Sequence, residues 1–453
     1  MHTYIQQETW NQLLSKATRY INNTSEYALR DINPGGCYSA VWTRDAAYIL
    51  KDQFLSGNTR TALEQILSIW IHQIGGIKEK IVYGRGSPGT NFTPMAANIE
   101  INKNFEHALP TTIYQNFSEV YGRNPDIDST ALMISTTSWI LSKLLKKRRE
   151  TYLNDNDVGL LHRLVVSSTD FLSHVIDFVV PRMLYAVEYL AGRDIDNDGL
   201  LEQDQNEDWM DTALRDGKVV YSQASWILAL KNLSILMFFL GRDSEAQRLK
   251  KLTDDSILSI ERILWSHNDA CYIDLQKDQY ISDVPNRTLT QDVSLYLVAV
   301  TENLNDNYES SIASPLQESE QKKEHLHLSR IYQRAIKTLE ALRKRIWKNE
   351  WPLVTEIELR KTGPWVLKPN QYHNHTFWPW ITGIEMLARS RFNRIEECNI
   401  LLSRIASEWA PHTQSFYEWI DPTTSQGSGA FPFRTGISAI RLAICDILQT
   451  DKI

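Results

Sequence analysis

Asp211 lies in the string Glu207-Asp208-Trp209-Met210-Asp211-Thr212, and Glu418 lies in Tyr417-Glu418-Trp419. Each string sets a carboxylate among large apolar side chains in a loop. Such surroundings disfavour the charged form and raise the carboxyl pKa, as a proton donor at neutral pH requires. Splitting a glycosidic bond takes two carboxyl groups, one to protonate the leaving oxygen and one to activate water or attack the anomeric carbon. The chain has 55 acidic residues, so many other pairs can be drawn. Glu202, Glu207, Asp208 and Asp421 stand as rivals.

Around this pair the sequence is rich in flat side chains, with 14 Trp and 19 Tyr. Their apolar faces and polar edges suit stacking on a sugar ring, although a large helical core uses the same residues. Trp42-Thr43-Arg44-Asp45 comes just before an apolar helical run. It reads either as a helix start with a surface ion pair, or as a grip on vicinal hydroxyls by Arg44 and Asp45 with Trp42 lining the pocket.

Other motifs carry less. Tyr83-Gly84-Arg85-Gly86-Ser87-Pro88-Gly89 spells GxGxxG, but no strand precedes it and Pro88 stands where a helix should start, so a loop bordering the site is expected. Asp194, Asp196, Asp198 and Gly199 imitate a calcium loop, yet its twelfth position is Gln205 instead of a bidentate Glu. An Asx-type turn accounts for them, and whether they hold a structural cation stays open. His373 and His375, like His325 and His327, are two apart with no third ligand, and read as polar loop and surface residues, with substrate hydrogen bonding open to the first pair. Cys37, Cys271, Cys398 and Cys445 are scattered, which indicates reduced thiols and neither disulfides nor zinc.

A formal charge of −7 without a long basic run argues against nucleic acid and acidic membrane surfaces as partners and fits a neutral substrate. The N-terminus lacks a basic segment followed by an apolar one, and no apolar run of about 18 residues occurs, so a soluble cytoplasmic protein is expected.

What must position these residues is helical. Apolar spacing predicts helices over about 5–22, 44–74, 106–122, 129–148, 157–190, 218–241, 243–264, 289–303, 325–347, 373–390, 394–409 and 433–449. Long loops rich in Gly, Pro, Trp and Asp connect several of them, and every chemical motif lies in those loops. An even number of helices with such loops fits six helical hairpins closed into a double ring, as one all-α catalytic domain over residues 1–453. Glu309 to Lys323, polar and poor in aromatics, reads as an exposed insertion.

Four strings occur in order: Trp42-Thr43-Arg44-Asp45; Asp198-Gly199-Leu200 leading to Trp209-Met210-Asp211; Tyr372-His373-Asn374-His375-Thr376-Phe377-Trp378-Pro379-Trp380; and Tyr417-Glu418-Trp419. Together they resemble the six-hairpin glycosidase superfamily with its (α/α)6 toroid, and within it amylo-1,6-glucosidase, processing α-glucosidase I and the glucosylglycerate and mannosylglycerate hydrolases. The resemblance implies that Asp211 is the general acid and Glu418 the general base. It places Arg44 and Asp45 on the hydroxyls of the −1 sugar and His373 and Trp378 around that subsite; Trp42, Trp209 and Trp419 are expected to complete a ring of tryptophans that holds the glycone. It implies no cofactor and no metal. It chooses Asp211 over Asp208, which residue chemistry alone does not. His375 stands where the resembling string has glycine, which bears on the width or polarity of the subsite.

The expected activity is inverting exo-α-glycosidase action on a small carbohydrate or oligosaccharide, such as a soluble α-glucoside or an α-1,6-linked glucan end. Inversion implies carboxyl groups roughly 6.5 to 9.5 Å apart. A phosphorylase and a non-catalytic carbohydrate-binding protein on the same barrel are the alternatives. Sugar, linkage, leaving group and oligomeric state are not encoded legibly.

Overall fold

The computed structural model describes residues 2–28, 31–75, 81–83, 105–115, 117–121, 124–154, 158–204, 207–213, 215–276, 288–301, 318–359, 367–407 and 417–448. Gly84–Gly89 of the glycine-rich motif and 309–317 of the polar segment lie outside the described residues; a short strand, Ile81–Tyr83, does precede the motif, against expectation.

Among the described residues are twelve α-helices: α1 (His2–Ala28), α2 (Thr43–Leu55), α3 (Thr59–Trp70), α4 (Ile127–Asn154), α5 (Val158–Ala191), α6 (Val220–Phe239), α7 (Asp243–Ile263), α8 (Val293–Thr301), α9 (Glu318–Ala341), α10 (Pro379–Arg391), α11 (Ile395–Ser407) and α12 (Arg434–Leu448). Residues 318–323 thus open α9, which also carries His325 and His327. No helix among the described residues is long and apolar enough to cross a membrane.

The even-numbered helices form a closed inner ring: α2 packs on α4, α4 on α6, α6 on α8, α8 on α10, α10 on α12, and α12 returns to α2. The odd-numbered helices pack outside, as α3 does on α2, α7 on α6 and α11 on α10. Burial explains the division. In α8 every residue from Val293 to Val300 is buried, and α6 buries even Ser222, Gln223, Ser225 and Asn232, so these helices have neighbours on all sides. In α3 only Ala62, Leu63, Ile66, Ile69 and Trp70 are buried, a single face of a helix with solvent on the other.

Two expected spans are corrected. Residues 44–74 break at Ser56-Gly57-Asn58, where Gly57 takes φ +89°, a conformation glycine adopts without steric cost. Residues 106–122 form no helix; they contain β3 (Thr112–Ile113) and β4 (Ser118–Val120), which join β1 (Val41–Trp42) and β2 (Ile81–Tyr83) in one sheet of order β1-β3-β4-β2. Its β-branched and aromatic residues outweigh a chance helical spacing. The sheet feeds Trp42 directly into α2. The short connection at Gly241 is as expected: with φ +69°, it ends α6 while Arg242 N–H donates back to Met237 O at 2.9 Å.

Candidate active site

Inner helices bring their N-terminal ends to one place. Trp42, Arg44, Asp45 and Tyr48 come from the start of α2, Trp378 and Trp380 from the start of α10, and Phe433 and Thr435 from the start of α12. With Pro34, Tyr38, Trp209, Asp211, Tyr372, His373 and Glu418 they line one cavity. Helix N-termini carry partial positive charge and tolerate carboxylates, consistent with Asp45 and Asp128 in the first turns of α2 and α4.

Both expected carboxyl groups face this cavity. Burial pushes Asp211 up to about 8; Glu418 and Asp208 add to the rise, and Arg44 and the Thr212 N–H oppose it. Asp211 Oδ1 has no hydrogen-bond partner. Burial likewise pushes Glu418 up to about 7, against the donors that hold its charged form. Those donors fix both oxygens: Tyr38 O–H donates to Oε1 at 2.7 Å and Ala430 N–H to Oε2 at 2.9 Å. One carboxyl has an oxygen without a partner and is readily protonated, and the other has both oxygens gripped by neutral donors. Such a pair can give a proton from one side and take one on the other.

Arg44 is held between carboxylates, at 3.5 Å from Asp45 and 3.3 Å from Asp128. Asp45 also accepts the Thr435 hydroxyl at 2.6 Å. His373 is fully buried, and burial with the charges of Arg215 and Arg44 holds its pKa well below the usual value, so the ring is neutral. Its Nδ1 lies 2.9 Å from the Thr212 hydroxyl and 3.6 Å from Asp211 Oδ1, and its Nε2 has no partner. The aromatic wall is rigid. His373 stacks on Trp378, while Trp209 meets His373, Trp378 and Trp380 edge-on at 5.0 to 5.5 Å.

Of the residues expected in the site, Trp42, Arg44, Asp45, Trp209, Asp211, His373, Trp378 and Glu418 meet in the cavity and Trp419 does not. Trp419, the next residue along, opens a two-residue strand in which it pairs with Ser428. His375 is also outside the lining. Its backbone has φ +64°, which explains why glycine suits that position, and its ring lies between Thr355 O and Lys348 Nζ. The position answers a turn and does not set the width of the cavity.

Each rival carboxylate is already engaged. Asp208 is paired with buried Arg215 at 2.9 Å, and Glu207 with Arg193 at 2.7 Å and Asn124 at 2.5 Å. Asp421 closes a turn onto Thr423 N–H and the Thr424 hydroxyl. Glu202 joins Asp196 and Asp198 around Lys218 Nζ, at 3.3, 2.5 and 2.8 Å, while Asp194 accepts from Asp198 and Gly199 N–H. Lys218 thus places a positive charge among the carboxylates of the calcium-like loop.

Sequence reasoning missed Tyr38, Tyr48, Tyr372, Trp380 and Phe433 in the lining. Tyr48 follows Arg44 by one helical turn, a spacing that could have found it. It also missed Gly429, at φ +78°: a Cβ there would collide with Glu418 Oε2, so only glycine lets the carboxylate lie against that backbone.

No family model matches the chain, and no curated protein does. Solved structures do match. A GH63 mannosylglycerate hydrolase from Thermus thermophilus in complex with glucose superposes with a TM-score of 0.55 at 15% identity, over 95% of this chain and 99% of that one. A glycosidase variant in complex with glucose matches at 0.53 and 10%, over 97% and 98%. A rhamnosidase from Klebsiella oxytoca with rhamnose bound matches at 0.51 and 12%, over 98% of this chain and 64% of that one. At these identities the likeness carries the fold. The chain has the (α/α)6 toroid of the six-hairpin glycosidases.

Proposed function

We propose that this chain is an inverting, exo-acting α-glycosidase. Its acid is Asp211, its base is Glu418, and its substrate is a small neutral α-glucoside or a related α-linked sugar. The observation that carries this is the pair itself: two carboxyl groups with raised pKa line one aromatic cavity, one with its Oδ1 unpartnered and one aimed by Tyr38 and Ala430. Asp211 is protonated at neutral pH and can hand its proton to the leaving oxygen. Glu418, once ionised, takes a proton from the water that attacks the anomeric carbon. Both proton transfers are thus assigned to carboxyl groups of the chain.

Trp42, Trp209, Trp378 and Trp380 supply flat faces for a sugar ring, and Arg44, Asp45 and the unpartnered His373 Nε2 supply hydroxyl contacts. A cavity lined by the N-terminal ends of the inner helices suits a terminal sugar unit, which favours exo action. Glucose in the mannosylglycerate hydrolase and in the glycosidase variant supports a hexose as glycone. Glu418 at the site favours water over phosphate as nucleophile, since a second anion beside it would be repelled.

A screen of α-linked glucosides and mannosides, including disaccharides and glucosylglycerate, tests this. Release of free sugar from at least one, lost in Asp211→Asn, is expected. No release from any of them by a folded chain that still binds sugar would leave a binding protein instead.

A further inference from the structure

The segment bearing Asp211 is pinned at nearly every residue but Asp211. Arg215, only 1% exposed, stands at the centre of the pins. Its guanidinium reaches Asp208 at 2.9 Å, Asp274 at 2.8 Å and Asp292 at 2.9 Å. Asp208 in turn accepts the Met210 N–H at 2.8 Å and the Gln203 amide at 2.7 Å. Asp292 accepts the Trp209 indole N–H at 2.7 Å and the Thr290 hydroxyl at 2.7 Å. On the far side the Thr212 hydroxyl meets His373 Nδ1.

Resting on the reading of Asp211 as the acid, we propose that Arg215 is a positioning residue for it. Through Asp208 and Asp292 it clamps the backbone before Asp211 and the Trp209 ring beside it, and so sets where the acid's carboxyl stands. The planar fork of arginine presents donors in fixed directions to the three carboxylates, whereas a lysine in its place supplies one point charge on a differently shaped stem and changes where each carboxylate sits. The network lies outside the cavity lining, so its effect on turnover passes through the residues it holds.

The charged and titratable groups facing Asp211 are Arg44 from α2, Glu418 from the segment before α12, Tyr372 and His373 from the segment before α10, and Asp208 from its own segment. Asp208 is the member of the Arg215 network among them. Its negative charge favours the protonated form of Asp211.

The test uses the full chain as Arg215→Lys, Asp208→Asn and Asp292→Asn, each checked for folding by circular dichroism and melting. For Arg215→Lys and Asp292→Asn, kcat is expected to fall by about 100-fold and 10-fold, with KM within about threefold. For Asp208→Asn, the alkaline limb of the pH profile of kcat/KM should move to lower pH, whereas Asp292→Asn should leave that limb in place. Folded Arg215→Lys with kcat within threefold of the parent chain would overturn the proposal, as would an unmoved limb in Asp208→Asn. Should Arg215→Lys not fold, the two Asp variants decide by the same criteria. If the parent chain cleaves no glycoside, the glycosidase reading fails. The network is then judged by carboxyl 13C NMR titration of Asp211, identified by its loss in Asp211→Asn: a lower midpoint in Asp208→Asn supports it and an unchanged one refutes it.

Discussion

Asp208 and Asp211 are three residues apart, and the fold treats them in opposite ways. Asp208 is gripped by Arg215 and fed by two further donors, whereas Asp211 Oδ1 is left without a partner in an aromatic cavity. Other buried carboxylates are engaged in the way Asp208 is. Buried Asp52 is saturated by Arg441 and Ser438, and buried Glu385 by Arg389, Gln291 and Trp347. A buried carboxylate with its own cation is a structural element, since breaking such a pair leaves an uncompensated charge. A buried carboxyl group without one keeps its proton near neutral pH and is available for chemistry.

The contrast can be broken in several places. The largest effect is expected at the unpaired group: Asp211→Asn keeps shape and loses the proton, and should lower kcat by about 10³-fold or more in steady-state assays. Near-normal activity there would remove Asp211 from its role. Next is Gly429→Ala, where the added methyl must displace the Glu418 carboxylate; turnover should drop by about 100-fold with the fold preserved.

A smaller and more directional effect belongs to Tyr38→Phe. The Tyr38 hydroxyl stabilises the charged form of Glu418, so its loss should raise the Glu418 pKa above about 7 and shift the acid limb of kcat/KM upward. In the parent chain activity requires Glu418 ionised and Asp211 protonated, which predicts a narrow optimum between about 7 and about 8. An unmoved acid limb in Tyr38→Phe would separate that limb from Glu418.

The smallest effect is on stability, and it has the opposite sign to the loss of activity. The folded-state pKa of Asp211 is raised, so its protonated form contributes stability that is fully present below the unfolded pKa of about 4 and lost as pH rises through about 8. Asp211→Asn removes that penalty and should be more stable than the parent at pH 9 by ~2 kcal/mol or more, a margin that narrows as pH falls toward about 4, as melting curves would register. A variant less stable at pH 9 would mean that the carboxylate has a compensating partner.

Much of this was legible in the sequence, for identifiable reasons. Helical spacing is a local signal, so the double ring and all but two of the expected spans could be read from it. The split at Gly57 depended on turn geometry, and the strands at Thr112–Ile113 and Ser118–Val120 on pairing that begins with Val41–Trp42, a partner distant in sequence. In the site, the aromatic setting of Asp211 and Glu418 was visible. What distinguishes Asp211 from Asp208 was not, because Asp274 and Asp292, which complete the Arg215 network, are distant in sequence. Trp419 was drawn in by adjacency to Glu418, yet the cavity is lined by Glu418 and not by its neighbour. Tyr38 gave no motif; its role appears only once the loop before α2 meets the one before α12.

The central claim is that one free acid and one aimed base act on opposite faces of an α-linked sugar. The most direct measurement is the 1H NMR spectrum of the anomeric proton in the first minutes of hydrolysis of a cleaved α-glycoside, before mutarotation. The β-anomer should appear first. Initial release of the α-anomer would contradict the roles given to Asp211 and Glu418.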